Sequence, residues 1–510
     1  LHTLFPYTTL FRSFGYNDVK ATLGKLVVTM FVTYTERYLH GELPQAWKSF
    51  VSFKSGNIIA FLDNLMNNVL YREKYNEISS YVAKRLNVAA VFEDYTPETL
   101  IACDTFAVLD SFIINWVNDR LLNEDSGAKL GDLTILDVCQ ERRKKHFGES
   151  CQVQYLLLEN AYYLILAAKY HCQESLKGIV DQYLASDCLI DNHYGQFYYC
   201  YDQISENTSF EKLRDLVENI YTNEYLAKVI LKWNFCMVTE DMLTDLPLQR
   251  NFYNKYIRFS KDRVVVIISD AMRYEVGRSL FLKLQDDEKC TAKLDAMLSV
   301  LPSYTRLGMA TLLPHKTLKM TDDYKVLVDD MSCDDLKQRE AILKKYSPNS
   351  RCVQFDDMKT MKQAQMRDVL TGMDVVYVYH NQIDARGDKP NTENEVFTAC
   401  KEAIEEIFAL IKRLSVSANT YHFIVTADHG FIYKRDKLQE SDKIINAAGK
   451  SAFVNRRFII SEHSLQDDGV ASVSMGKILD NSDNKVVSFP VSSNVFKVAG
   501  GGQNYVHGGS

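Results

Sequence analysis

The sequence predicts an α/β domain with a mainly parallel sheet and helices on both faces, preceded by an all-α region. Three observations predict it. Val264-Val-Val-Ile-Ile-Ser-Asp270 is a continuous β-branched run, the pattern of a strand buried on both faces. Comparable runs stand at Val375-Val-Tyr-Val-Tyr379, His422-Phe-Ile-Val-Thr426 and Arg457-Phe-Ile-Ile460. Between the second and third, Val396, Cys400, Ile404, Ile407, Ile411 and Leu414 recur at helical spacing. Strand, helix, strand in this rhythm is a βαβ unit.

The α/β part is expected over residues 255–510 and the helical part over 14–250. In the latter, no proline occurs between Pro97 and Pro247, which suits stacked helices. Tyr155 to Tyr170 is apolar on most sides and predicts a buried helix. Asn207-Thr-Ser209 followed by FEKLRDLVENIY predicts an amphipathic helix capped by Thr208 or Ser209. The run Glu141-Arg-Arg-Lys-Lys-His146 is expected to be a solvated helix face, with a phosphate-contacting patch as the alternative.

Composition narrows the function classes. With 510 residues, 46% hydrophobic and 25% charged, the chain is neither disordered nor collagen-like. No apolar run approaches the roughly 18 residues that span a bilayer. A net charge of −7 argues against coating nucleic acid as a whole, though a local basic groove stays open. Eleven scattered cysteines without a CxxC pair are expected to be reduced thiols of a cytoplasmic protein.

Both ends look unusual. Residues 1–13 resemble the translation of a sequencing-library adapter and are expected to be artefactual, with a natural apolar hairpin or arm as the alternative. The final Asn504-Tyr-Val-His507-Gly-Gly-Ser510 stops without a terminal element, so a C-terminally truncated fragment of a longer product is expected. Holding a histidine that near a chain end should cost ordering entropy.

The chemistry is read from the residues just past each strand. The first strand ends at Asp270, the second is succeeded by Asp384 and Asp388, and the third runs into Asp428-His429-Gly430. Ligands gather at the carboxyl ends of strands in open parallel sheets, so these groups should converge on one rim. Carboxylates crowded there repel unless divalent cations compensate them. A mixed oxygen and imidazole donor set suits Zn²⁺, with Mn²⁺ possible. Two such ions would stabilise a displacement at phosphorus. A hydroxyl nucleophile is available in Leu301-Pro-Ser-Tyr-Thr-Arg-Leu-Gly308, where Ser303 or Thr305 opens a short helix.

These segments together resemble the PglZ domain, a branch of the alkaline phosphatase superfamily. The matching stretches are Ile268 to Glu275, Leu301 to Pro314, Tyr379 to Asp388, Thr426 to Gly430 and Val506 to Gly509. The resemblance implies an alkaline-phosphatase-like fold with two metal subsites. Asp270, Thr305, Asp428 and His429 would form one, and Asp384, Asp388 and His507 the other. Asp388 stands where many superfamily members have histidine. Thr305 matches the superfamily nucleophile, with Ser303 as its near neighbour. Arg273 and Arg306 are near enough in sequence to contact substrate phosphate, although a structural ion pair is the favoured reading of each, and His380 reads as a supporting or core histidine rather than a ligand. Family likeness further implies a bacterial BREX phage-defence component of PglZ type A, acting with a DNA methyltransferase and an ATPase. The expected activity is phosphatase-like hydrolysis of a phosphate ester or nucleic-acid phosphate. A nuclease or phosphodiesterase of the same fold, or a non-catalytic assembly subunit, are the alternatives.

Overall fold

The computed structural model describes residues 5–239, 246–445, 449, 451–498 and 503–509. The chain divides into two compact units: Leu1–Leu166 with Gln196–Val217, and Ala167–Gly195 with Glu218–Ser510. The second unit therefore takes in helical segments N-terminal to residue 255. Among the described residues no helix is long and apolar enough to cross a membrane.

The first unit is helical, with Leu23–Tyr38, Ser55–Asn67, Arg72–Arg85, Val108–Leu122 and Gln152–Leu166 among its elements. Phe5–Ser13 is also a helix rather than a hairpin. Phe31, Leu62, Tyr75, Phe92, Phe106 and Leu109 are among the buried side chains of its core, and full burial of a Leu or Phe is worth roughly 1.5–3 kcal/mol. The helix at Gln152–Leu166 buries Tyr155, Leu157, Leu158, Ala161, Leu164 and Ile165, as its composition predicts. Thr208 and Ser209 lie inside a 3-10 turn, Thr208–Phe210, and do not cap the helix after it; Asn207 occupies the cap position. The basic run at 141–146 is not a uniformly solvated face either. Arg142 is wholly buried and donates from Nε and Nη2 to Asp110 (2.9 and 2.8 Å) and from Nη1 to the carbonyls of Ile101 and Cys103.

The second unit holds the parallel sheet. Its strands are β1 (Val264–Ser269), β2 (Ser350–Gln354), β3 (Val375–His380) and β4 (His422–Thr426), in the order β2-β3-β1-β4. All pairings are parallel, with Val264 opposite both Val375 and His422. This register brings the ends of β1, β3 and β4 to one edge. Successive side chains of a strand point to opposite faces, and the core divides accordingly. Val265, Ile267, Val376 and Val378 pack with α1 (Tyr274–Gln285) and α4 (Val396–Ala418). Val264, Val266, Ile268, Tyr377 and Tyr379 pack with α2 (Thr305–Thr311) and the helix Leu336–Tyr346 on the other face. A further one-turn helix, α3 (Ile383–Gly387), comes after β3.

Two strand expectations are corrected. The run at 457–460 contributes to Ile459–Ser461 of a separate antiparallel sheet, with Phe453–Val454, Val486–Pro490 and Val470–Ser474. The fourth parallel strand is instead β2, whose sequence Ser-Arg-Cys-Val-Gln has only Cys352 and Val353 as an apolar signal.

Candidate metal centre

The rim is built by backbone first. Asp270 N–H donates to the His380 carbonyl (2.8 Å), extending the β1–β3 ladder one residue past the strand. Ala271 then takes φ of +63°, a left-handed conformation costing about 1–2 kcal/mol for a residue with a Cβ. This turn aims its N–H at Asp428 Oδ1 (3.2 Å). Gln249 donates from Nε2 to the carbonyls of Ala427 and Asp428 (3.1 and 2.6 Å), holding the loop after β4. Sequence pattern gives no hint of this glutamine's role.

Thr305, the first residue of α2, faces the same point. Its Oγ1 lies 3.0 Å from His429 Nε2. Gly308 makes that approach possible: a Cβ there would stand 2.3 Å from the Asp428 carbonyl oxygen. His429 Nε2 also lies 3.2 Å from Asp270 Oδ1 and 3.5 Å from Asp428 Oδ2, while Nδ1 bonds the Gly430 carbonyl (2.8 Å). Asp270, Asp428 and His429 offer ligand atoms all within 4.8 Å of one another.

A second such group is Asp384, His429 and His507. Tyr505 OH donates to Asp384 Oδ1 (3.0 Å), and the phenol ring occupies the place a Cβ on Gly387 would need, 2.3 Å away. His507 stacks on His429 with 4.4 Å between ring centroids and 15° between planes. Several hydrogen bonds hold its segment. Ile432 and Val506 exchange two backbone hydrogen bonds (2.8 and 3.0 Å), and Glu393 accepts from the N–H groups of Asn504 and Tyr505 (2.8 and 3.1 Å). Ser303 donates from N to the Gly508 carbonyl (3.2 Å) and from Oγ to the Gly509 carbonyl (2.8 Å). Ser303 thus braces the His507 segment, and Thr305 is the hydroxyl that meets His429.

The electrostatics are those of crowded, desolvated anions. Burial, with Asp270 beside it, pushes Asp428 up to about 8, although His429 opposes the shift. Burial and Asp270 push Asp384 up to about 6. Burial alone would depress His429, but Asp428, Asp270 and Asp384 carry it up to about 10. Burial and the neighbouring His429 take His507 down to about 3.

Asp388 stands one helical turn after Asp384 at the end of α3; it is exposed and falls outside both ligand groups, yet it is close enough for Asp270 and His429 to act on its charge. Arg273 is tied to Asp191 (2.6 Å) and Glu275 (2.7 Å) and donates to the Phe431 carbonyl (3.3 Å). Arg306 pairs with Asp334 (3.3 Å). Both arginines are thus ion-paired, the reading that sequence favours. His380 is a core histidine between Ser269 Oγ (2.9 Å) and Glu406 (3.2 Å). All eleven cysteines are free thiols.

The residues present fit a bound cation. Asp270 Oδ1, Asp428 Oδ2 and His507 Nδ1 are buried and make no hydrogen bond, and such atoms are costly unless something satisfies them. A neutral imidazole has one lone pair to give, so His429 can serve only one of the two overlapping groups.

A parallel α/β sheet with helices on both faces and this aspartate–histidine rim defines an alkaline-phosphatase-like domain. The chain belongs to the PglZ family: the BREX system PglZ alkaline phosphatase-like domain matches residues 250–510. It is 35% identical to the alkaline phosphatase-like protein PglZ of Bacillus cereus (strain H3081.97), over 98% of this chain and 59% of that protein. It is 29% identical to the alkaline phosphatase-like protein BrxZ of Escherichia coli O9:H4 (strain HS), over 100% of this chain and 62% of that one. The chain thus spans about three-fifths of the length of these curated relatives. A solved structure of murine ectonucleotide pyrophosphatase/phosphodiesterase 5 overlaps 49% of this chain and 84% of its own, at 12% identity and a TM-score of 0.35.

Proposed function

We propose that this protein is a metal-dependent phosphoryl-transfer hydrolase serving a BREX-type phage-defence system, beside a methyltransferase and an ATPase. The observation that carries the reading is the meeting of Asp270, Asp428 and Thr305 around one imidazole nitrogen, His429 Nε2, from distant stretches of chain. Asp270, Asp428 and His429 would hold one divalent cation, and Asp384 and His507 a second, with Asp388 adding negative charge nearby; Zn²⁺ suits these donors, Mn²⁺ being the alternative, and bound ions would supply Lewis-acid stabilisation of phosphate charge.

Thr305 Oγ1 is the nucleophile in this reading. It forms the new bond to phosphorus as the ester oxygen leaves, and water then hydrolyses the phosphothreonine. Its position is fixed by Gly308 packing on Asp428, and Oγ1 stands 3.0 Å from the nitrogen that would hold the cation, so a bound ion would lower the pKa of the hydroxyl. Tyr505 and Ser303 hold Asp384 and the His507 segment in place. The pairing of Arg273 and Arg306 with local carboxylates favours the second reading, a metal-stabilised assembly subunit without turnover.

Hydrolysis of an aryl phosphate and an aryl phosphodiester, with Zn²⁺ and with Mn²⁺, decides between them. Turnover that disappears in Asp270→Ala and Thr305→Ala supports the enzyme, and the preferred substrate separates phosphatase from phosphodiesterase. Normal metal binding without turnover above those variants supports the assembly subunit.

A further inference from the structure

The basic run at 141–146 takes no part in the metal centre. Beyond the buried Arg142 it lines a cleft of the helical unit, 370 Å³ in volume, where Lys144, Lys145 and His146 stand with Tyr38, Arg72, Asp104 and Glu149. All of these residues lie within Leu1–Leu166 of the first compact unit. Space of that size accommodates a small ligand.

The charges around the cleft are unevenly matched. Asp104 is buried, and its oxygens accept from the N–H groups of His146 and Phe147. Lys144 pairs with Glu141 (2.7 Å). Burial and the neighbouring Arg72 depress His146, so its ring is neutral at physiological pH; Nε2 donates to Asn76, and Nδ1 accepts from Arg72 Nε (3.3 Å). Arg72 Nη2 meets Glu149, whose side chain is 58% exposed, and an exposed pair of this kind is weak. Lys145 is half-buried, and among the described residues no carboxylate pairs with it. Tyr38 is half-buried too, its ring tilted against Tyr34 with 4.9 Å between centroids.

We propose that this cleft binds a nucleotide, with the phosphate on Arg72 and Lys145 and the base against the ring of Tyr38. Guanidinium and ammonium groups suit phosphate oxygens, and an aromatic ring offers any base a stacking surface. Glu149 is the competitor, because phosphate would displace this exposed carboxylate from Arg72. A bare anion would leave Tyr38 unused, and an uncharged aromatic would leave Lys145 without a partner. The nucleotide can be free or can be the phosphorylated end of a single strand. The inference does not rest on the metal reading, because the cleft shares no residue with either ligand group.

The test is titration calorimetry of the 510-residue protein with AMP. EDTA is present so that metal does not hold the phosphate, and adenosine and inorganic phosphate are the controls. AMP should bind saturably and more tightly than either control. Lys145→Gln and Arg72→Gln should each weaken it about tenfold or more, and Tyr38→Leu should weaken it about tenfold. Glu149→Gln should tighten it, which loss of a merely structural pair would not do. Substitution of Lys145 or Glu149 strands no buried partner, so these two variants keep the fold. In a second arm, pentathymidylate with and without a 5′-phosphate replaces AMP. Tighter binding of the phosphorylated strand than of AMP, abolished when the phosphate is removed, identifies a strand end as the source, and weaker binding identifies the free nucleotide. Binding of neither AMP nor the phosphorylated strand overturns the proposal. So does inorganic phosphate or adenosine matching AMP, and so does an unchanged affinity in Lys145→Gln.

Discussion

The rings of His429 and His507 lie face to face, 4.4 Å between centroids and 15° from parallel, although one stands just past β4 and the other near the end of the sequence. Burial depresses both imidazoles, but three aspartates raise His429 above its ordinary value, whereas the neighbouring His429 lowers His507 further. This pairing separates the two ligand groups experimentally.

His429 completes the Asp270–Asp428 group and its ring packs on His507, so His429→Ala should empty that group and also weaken the second. His507→Ala should remove one equivalent and leave the Asp270–Asp428–His429 group filled. Metal content after equilibration with Zn²⁺ checks this. Equal losses in the two variants would contradict the division.

Without metal, stability should fall as pH rises from about 6.5 to 10. Both groups titrating in that window have raised pKa values in the folded state, Asp428 at about 8 and His429 at about 10. Folded protein therefore binds more protons than unfolded protein there, and the stabilisation is lost as pH climbs through those values. Denaturant unfolding in EDTA reads the slope. Saturating metal should reverse it, because the ion replaces protons at the same atoms.

Gly308→Ala should displace α2 from the Asp428 carbonyl, since the contact of 2.3 Å is with main chain that cannot yield cheaply. We expect a destabilisation of about 1–3 kcal/mol and a weakened Thr305–His429 contact. Any turnover present should drop further than the stability loss explains.

Arg273→Ala tests an expectation from sequence. A phosphate-contacting arginine would raise KM when removed. The observed pairing with Asp191 and Glu275 predicts instead a lower Tm with KM little changed, as two buried carboxylates lose their cation.

In the helical unit, Arg142→Ala should cost about 3–5 kcal/mol by stranding Asp110 in the core. Denaturant unfolding reads it directly. A surface arginine in a basic run would cost far less.

The β-branched runs before Asp270 and Asp428 and the spacing of α4 determined that a parallel sheet forms and that carboxylates end its strands. At β1 the run reflects burial on both faces, which writes itself into consecutive residues, whereas β4 carries its run at a partly exposed edge of the sheet. The ordered motifs also pointed to Thr305 and the terminal histidine. Tertiary structure decided the rest. β2 has only Cys352 and Val353 as an apolar signal, so only its hydrogen bonds to β3 reveal it. Asp384 and Asp388 look equivalent in sequence, but at the two ends of a one-turn helix the first is half-buried among the ligand groups and the second is exposed at their margin. Arg142 lies in a basic run in sequence and is nevertheless enclosed. Whether a carboxylate meets the guanidinium depends on chain segments distant in sequence, which three-dimensional packing alone brings together.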